Sequence, residues 1–237
     1  LVAMDAPGWS TELKRATVER ALSNFGRSAL LLSGGATLGF YHLGVVKALW
    51  AAGLLPDVIS GASMGAMIAS GVCCRTDDEL DVLFEGEVYD LRRRGLGLRG
   101  PLEMLRERSL LRPEVLRETI EYNCGVHTFE EAFERSGRVL NISVSPTRTR
   151  QKPRILCHQT APRVLIPSAA LASSAVPGLF PPVTLTQRDR DGVERPYIPT
   201  EAWIDGSFGG DLPMMRISRL HNVNHYIVSQ ANPHVVP

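Results

Sequence analysis

No run of 18 or more apolar residues occurs among the 237 positions, so no segment reads as a bilayer-spanning helix. The sequence also lacks an excess of charge of either sign: 26 Lys and Arg stand against 25 Asp and Glu, a formal net charge of +1. A near-neutral chain has no overall field to draw it to nucleic acid, which is therefore not expected as a partner. Cysteine is sparse. Cys73, Cys74, Cys124 and Cys157 show neither metal-ligand spacing nor a disulfide framework, so no metal site is expected and a reducing, cytoplasmic location is favoured. The first apolar stretch is too short for a secretory signal. The chain opens on Leu1 and closes in a proline-rich tail, and we expect a segment excised from a longer protein. What is present is ordinary for a globular unit, 44% hydrophobic and 22% charged residues. That supports one core and one domain over residues 1–237.

The sequence around Gly61-Ala62-Ser63-Met64-Gly65 carries the strongest chemical signal. A strand-like piece from Asp57 to Ser60 enters this G-x-S-x-G, and Gly65 to Val72 leaves it as a small-residue helix. Strand, sharp turn and helix form the context of a nucleophile elbow, in which the serine Oγ is presented above the sheet. The glycines Gly61 and Gly65 allow the crowding such a turn requires, and the helix N-terminus favours a developing alkoxide. The alternative is a small-residue turn that serves only strand–helix packing. Cys73 and Cys74 follow on the same helix and read as small hydrophobes in packing.

Upstream, residues 9–26 predict a helix with Ser10 as N-cap and an apolar face of Leu13, Ala16, Val18, Ala21, Leu22 and Phe25. Residues 28–33 form a buried strand that runs into a turn at Gly34, Gly35, Ala36 and Gly39, and a helix from about Tyr41 to Ala52 ends at Gly53. Strand, helix and strand make a βαβ unit and hence a parallel sheet in an α/β fold. The turn at Gly34–Ala36 admits three readings. A dinucleotide fingerprint requires G-x-G-x-x-G with an acid about twenty residues on, and the pattern here departs from it. An oxyanion hole made of the N–H groups of Gly34, Gly35 and Ala36 requires small residues, which are present. The third reading is a plain tight turn. Two Gly-rich turns on neighbouring parallel strands share one sheet edge, and this favours the oxyanion hole.

Further on, residues 77–88 are acidic and amphipathic. Residues 92–117 are Arg-rich and carry Leu96, Leu98, Leu102 and Leu105, a composition suited to an anionic lipid surface or to a solvated helix face. Phe129 to Phe133 is a short helix capped by Thr128, and residues 138–145 and 154–158 are strands. Ala169 to Phe180 predicts a small-residue helix stopped by Pro177. Residues 187–199 form a surface loop or hairpin, Ala202 to Asp205 a short strand ending in a Gly turn at Gly206, and His225 to Gln230 the last strand.

Leu30 to Leu49 (LLLSGGATLGFYHLGVVKAL), Ile59 to Ala66 (ISGASMGA), Asp205 to Pro213 (DGSFGGDLP) and Asn222 to His234 (NVNHYIVSQANPH) together resemble the patatin-like phospholipase family. Within it they are similar to the triacylglycerol-lipase branch of yeast and plant lipid-droplet lipases and bacterial relatives. The similarity runs over the whole chain. It implies a three-layer α/β/α patatin-like fold with a mostly parallel central sheet, and a serine acyl hydrolase without cofactor. The implied substrate is lipid, triacylglycerol or phospholipid, met at a membrane or lipid-droplet surface. The resemblance implies Ser63 as nucleophile and Asp205 as its partner in a Ser–Asp dyad. It also implies that the helix and Pro turn at 169–180 line the approach, where Leu179 and Phe180 suit acyl chains. Three positions depart from the family pattern: Ala36 replaces a third glycine, Leu38 a basic residue, and Ser207 a Gly or Ala. The Leu38 change removes a charge for an anionic head group and tilts the substrate towards neutral acylglycerols.

Serine is a weak nucleophile without a base in hydrogen-bond reach. A Ser-His-Asp triad in α/β-hydrolase order would take Ser63, Asp205 and His221, His225 or His234. The dyad uses Asp205 alone. The elbow follows the first βα unit directly, Asp205 opens a turn after a strand, and His225 starts a strand with no turn to present it; these favour the dyad. A non-catalytic lipid-binding module is the reading from another class, and it gives no reason to keep both Ser63 and Asp205.

Overall fold

Residues 10–84, 112–148, 151–210 and 212–231 are described by the structure, a computed structural model. The Arg-rich stretch from Arg92, apart from its end at residues 112–117, and His234 lie outside them.

Four strands of the central sheet run parallel: β1 (Arg27–Leu32), β2 (Val58–Gly61), β3 (Val139–Pro146) and β8 (Val223–Ser229). A short β4 (Arg154–Leu156) closes one edge antiparallel to β3, giving the order β4-β3-β2-β1-β8. Leu30, Leu32, Ile59, Ile142 and Val144 share one apolar cluster, while Ala29, Leu31, Val58 and Val139 belong to another. That alternation is the period-2 signature of a sheet buried on both faces. The first face is covered by α2 (Tyr41–Ala51), α3 (Met64–Cys73), α5 (Pro113–Cys124) and α7 (Ile166–Ser173). The second receives Ile217 of α9 (Met214–His221) and Phe133 of α6 (Phe129–Ser136). The result is the α/β/α layering expected, with a hairpin β5–β6 (Thr186–Arg188 and Glu194–Pro196) where the hairpin was predicted.

Two helices differ from expectation. The N-terminal helix α1 (Thr11–Phe25) forms, and Ser10 Oγ accepts from Leu13 N–H at 3.1 Å as its cap. Its predicted apolar face is not buried: Leu13 and Phe25 stand 48% and 68% exposed. Periodicity in this case identified a helix but not a buried one. The helix predicted at 169–180 instead spans Ile166–Ser173. Pro167 in its first turn has no N–H to lose, so the helix starts early. It ends early because the carbonyl of Ala175 turns out to accept from Asp205 N–H at 3.1 Å. Thr128 caps α6 as predicted, in a capping box with Glu131.

His221, at the end of α9, is 6% exposed and lies 2.7 Å through Nε2 from Asn141 Oδ1. An amide oxygen only accepts, so Nε2 carries the proton of a neutral ring. Burial first, then the positive charges of His158 and Arg27, pull its pKa down from 6.5 to about 4. The unfolded ring binds its proton near 6.5 and the folded ring only near 4, so the unfolded chain holds more protons in that interval. The stabilisation is therefore complete above 6.5 and is lost as pH falls to about 4, by about 2–3 kcal/mol. His158 is displaced in the same direction, chiefly by burial. Urea unfolding from pH 7.5 to 4 is expected to show this decline and His221→Gln to flatten it. An equal slope in both proteins would remove His221 from the explanation.

Candidate active site

At the C-terminal end of β2 the chain turns through Ser63 with φ 52° and ψ −123° before entering α3. A non-glycine residue in this region costs about 1–3 kcal/mol and persists only when its neighbours hold it. Ser63 N–H donates to Ser173 Oγ at 3.0 Å, and that hydroxyl donates to the Ser143 carbonyl at 2.7 Å. The Ser63 carbonyl accepts from Ala66 and Met67 at 2.9 and 3.2 Å. Close approach fixes the flanking glycines as well. A Cβ at Gly61 would come within 2.3 Å of the Gly65 carbonyl oxygen, and one at Gly65 within 2.3 Å of the Leu32 oxygen. Glycine is the residue that permits β1, β2 and α3 to touch at this point. Ser63 itself remains 9% exposed.

Asp205 comes from the opposite direction. Strand β7 (Trp203–Asp205) runs antiparallel to β3, pairing Asp205 with Val144, while Val144 also pairs with Arg154 of β4. Strands β4 and β7 therefore flank β3 on opposite edges, and β7 occupies the β2 edge. On that edge Gly61 pairs with Ile142, so Asp205 opposite Val144 takes the place two residues beyond Gly61. That is where β2 would have continued had it not turned off at Ser63. Asp205 is 1% exposed, and its Oδ1 accepts from Ser207 N–H at 2.8 Å and from Ser207 Oγ at 2.7 Å. Gly206 follows over the Ser143 carbonyl, where a Cβ would stand 2.1 Å from the oxygen.

The first Gly-rich turn completes the cluster. A Cβ on Gly34 would lie 3.4 Å from Ser207 Cβ and 3.5 Å from Ser63 Cβ, so three segments distant in sequence meet at Gly34. Gly35 (φ 148°) and Ala36 (φ 48°) both lie in left-handed backbone. A side chain on Gly35 would collide with the Ala231 carbonyl at 2.9 Å. Gly39 is needed elsewhere: its Cβ would meet Met64 Cγ at 2.4 Å.

Several residues at the site carried no sequence signal. His42, fully buried in α2, places Nε2 3.0 Å from the Ser33 carbonyl and Nδ1 2.7 Å from Ser229 Oγ. The carbonyl requires Nε2 to be the donor, so Nδ1 accepts from Ser229. The ring thus ties the ends of β1 and β8 directly behind Gly34. Ser33 Oγ adds a bond to the Gly34 carbonyl and accepts from Ala231 N–H. Ser173 is the other unforeseen contributor. Of the histidines considered as a third member, His221 is held by Asn141 on β3, whose neighbour Val139 faces the α9 side, and His225 lies beside Phe25 at the start of β8. The elbow side chain and these two rings are not brought together.

A family model described as patatin-like phospholipase matches residues 30–216. The chain is 42% identical over 233 residues to a patatin-like phospholipase domain-containing protein of Pyricularia oryzae, covering 95% of this chain and 29% of that protein. It is 41% identical over 235 residues to one of Aspergillus niger, covering 98% and 31%. To the triacylglycerol lipase SDP1L of Arabidopsis thaliana it is 39% identical over 249 residues, covering 99% and 31%. The chain thus spans less than a third of the length of these relatives. Among solved structures, VipD from Legionella pneumophila has a similar fold, with a TM-score of 0.50 at 16% identity over 86% of this chain and 49% of that one.

Proposed function

The chain belongs to the patatin-like phospholipase family, and from that premise we propose that it hydrolyses fatty-acyl esters through a Ser63–Asp205 dyad. The observation that carries this reading is the meeting of Gly34, Ser63 and the Asp205–Ser207 turn at one sheet edge. Ser63 Oγ attacks the ester carbonyl and passes its proton to Asp205. Because Oδ1 already accepts two hydrogen bonds from Ser207, Oδ2 is the oxygen assigned to that proton. The N–H groups of Gly34, Gly35 and Ala36 receive the oxyanion, and the Met64 N–H in the first turn of α3 adds a further donor. The alcohol leaves, water attacks the acyl-enzyme, and Asp205 serves as base a second time. No step calls for a metal or organic cofactor.

The substrate is assigned from the surroundings. Leu38, Leu179 and Phe208 are exposed by 45%, 40% and 64% on the segments that carry the turn, the approach loop and the base. Phe180, by contrast, packs against the core. With Leu38 in place of a basic residue, neutral acylglycerol is favoured over an anionic head group. No described helix is long and apolar enough to cross a membrane. Turnover should be measured on triolein, phosphatidylcholine and lysophosphatidylcholine. Triolein is expected to be cleaved fastest; a preference for phosphatidylcholine would overturn the substrate assignment, and inertness towards all three the activity itself.

A further inference from the structure

A cavity of about 600 Å³ lies between β4 and α9, well away in the chain from the elbow. Among the described residues its walls carry four cations and no acid: Lys152 and Arg154 on one side, Arg216 and Arg219 on the other. Arg216 and Arg219 stand three residues apart on α9 and so face the same way. Arg154 is held with its guanidinium 5.3 Å over the Trp203 ring, and Arg216 donates to the Pro153 carbonyl. Both contacts orient a cation without neutralising it, and among the described residues none of the four forms an ion pair. On a chain of net charge +1, this is a concentrated positive site. The volume is that of a small-ligand pocket, and preset guanidinium forks match the oxygens of a phosphate group.

The geometry points to a binding site for a phosphate-bearing anion, a phosphomonoester in solution or a lipid head group. A second cavity of about 270 Å³ shares Arg154 and Arg216 with the first and extends along Met214 and Met215 to Ser143. Ser143 is the residue whose carbonyl holds Ser173, and Ser173 holds Ser63. The second cavity thus gives the basic site an apolar extension along Met214 and Met215 that fits the stem of an anionic lipid. Occupancy of the basic site does not depend on the chemistry of Ser63.

The test is binding rather than turnover. Glycerol 3-phosphate is titrated calorimetrically into the chain, and in parallel the chain is floated with phosphatidylcholine vesicles with and without phosphatidic acid. Saturable binding to one of the two phosphate sources is expected, weakening steeply with salt. Arg219→Ala, whose side chain makes no hydrogen bond among the described residues, is expected to lower the affinity about tenfold while leaving the circular dichroism unchanged. Arg216→Ala should do the same, and Arg20→Ala on exposed α1 should not. Binding of glycerol 3-phosphate identifies a soluble ligand, and binding only to phosphatidic acid vesicles a head group. Absence of saturable binding to both, or an equal loss in Arg20→Ala, overturns the site.

Discussion

Replacing Ser63 by alanine is expected to lower ester hydrolysis by about 10⁵–10⁶-fold, to the level left by oxyanion donors and binding alone. The side chain lost is one hydroxyl, and the hydrogen bonds that define the turn are made by the backbone of residue 63: its N–H to Ser173 and its carbonyl from Ala66 and Met67. Alanine adopts the same φ of 52° no more readily than serine does, so the turn and the melting temperature should be kept. Covalent labelling by a fluorophosphonate, which reports an activated serine, is expected to disappear together with turnover. Labelling that survives in Ser63→Ala would place the nucleophile elsewhere.

Asp205→Asn is the second large effect, about 10³–10⁴-fold in kcat, the upper range for loss of a general base. Asparagine retains an oxygen for the two Ser207 donors at 2.8 and 2.7 Å, so β7 and its turn should hold. A carboxylate that is 1% exposed is expensive to keep charged, and the neutral amide is expected to match or raise the melting temperature. Loss of activity with stability preserved separates a chemical role from a structural one. The dyad is then distinguished from a triad by His221→Gln, His225→Gln and His234→Gln, all expected to retain activity. Inactivation by one of these changes without unfolding would reinstate a histidine base.

The parts of the molecule legible in the sequence are those whose causes are local. The elbow was visible because Gly61, Ser63 and Gly65 sit within five residues and the strand and helix on either side have their own signatures. The cap at Thr128 and the hairpin near residues 186–196 were legible for the same reason. Non-local causes left no trace. The end of α7 is fixed by a hydrogen bond from Asp205, and the tie behind Gly34 joins His42 to Ser229 across two strands. Apolar spacing in α1 was real, yet spacing cannot reveal whether a partner surface exists, and Leu13 and Phe25 remain exposed. Asp205 was identified through family resemblance rather than through its position. Its residue type and following glycine said nothing about an antiparallel strand running up to the end of β2.

That strand has a consequence for how such chains can vary in length. Asp205 and the end of β2 are placed side by side by their register on Val144 and Ile142 of β3, not by the stretch of chain between them. Insertions in the connections between α3 and β7 are therefore expected to leave the pair undisturbed. Within the three residues of β7 no such freedom exists, since side chains alternate in direction along a strand. One residue added between Trp203 and Ile204 would turn the carboxylate to the other face and bring the apolar Ile204 side chain to its place. Length variation among relatives should thus be wide before Trp203 and absent between Trp203 and Asp205.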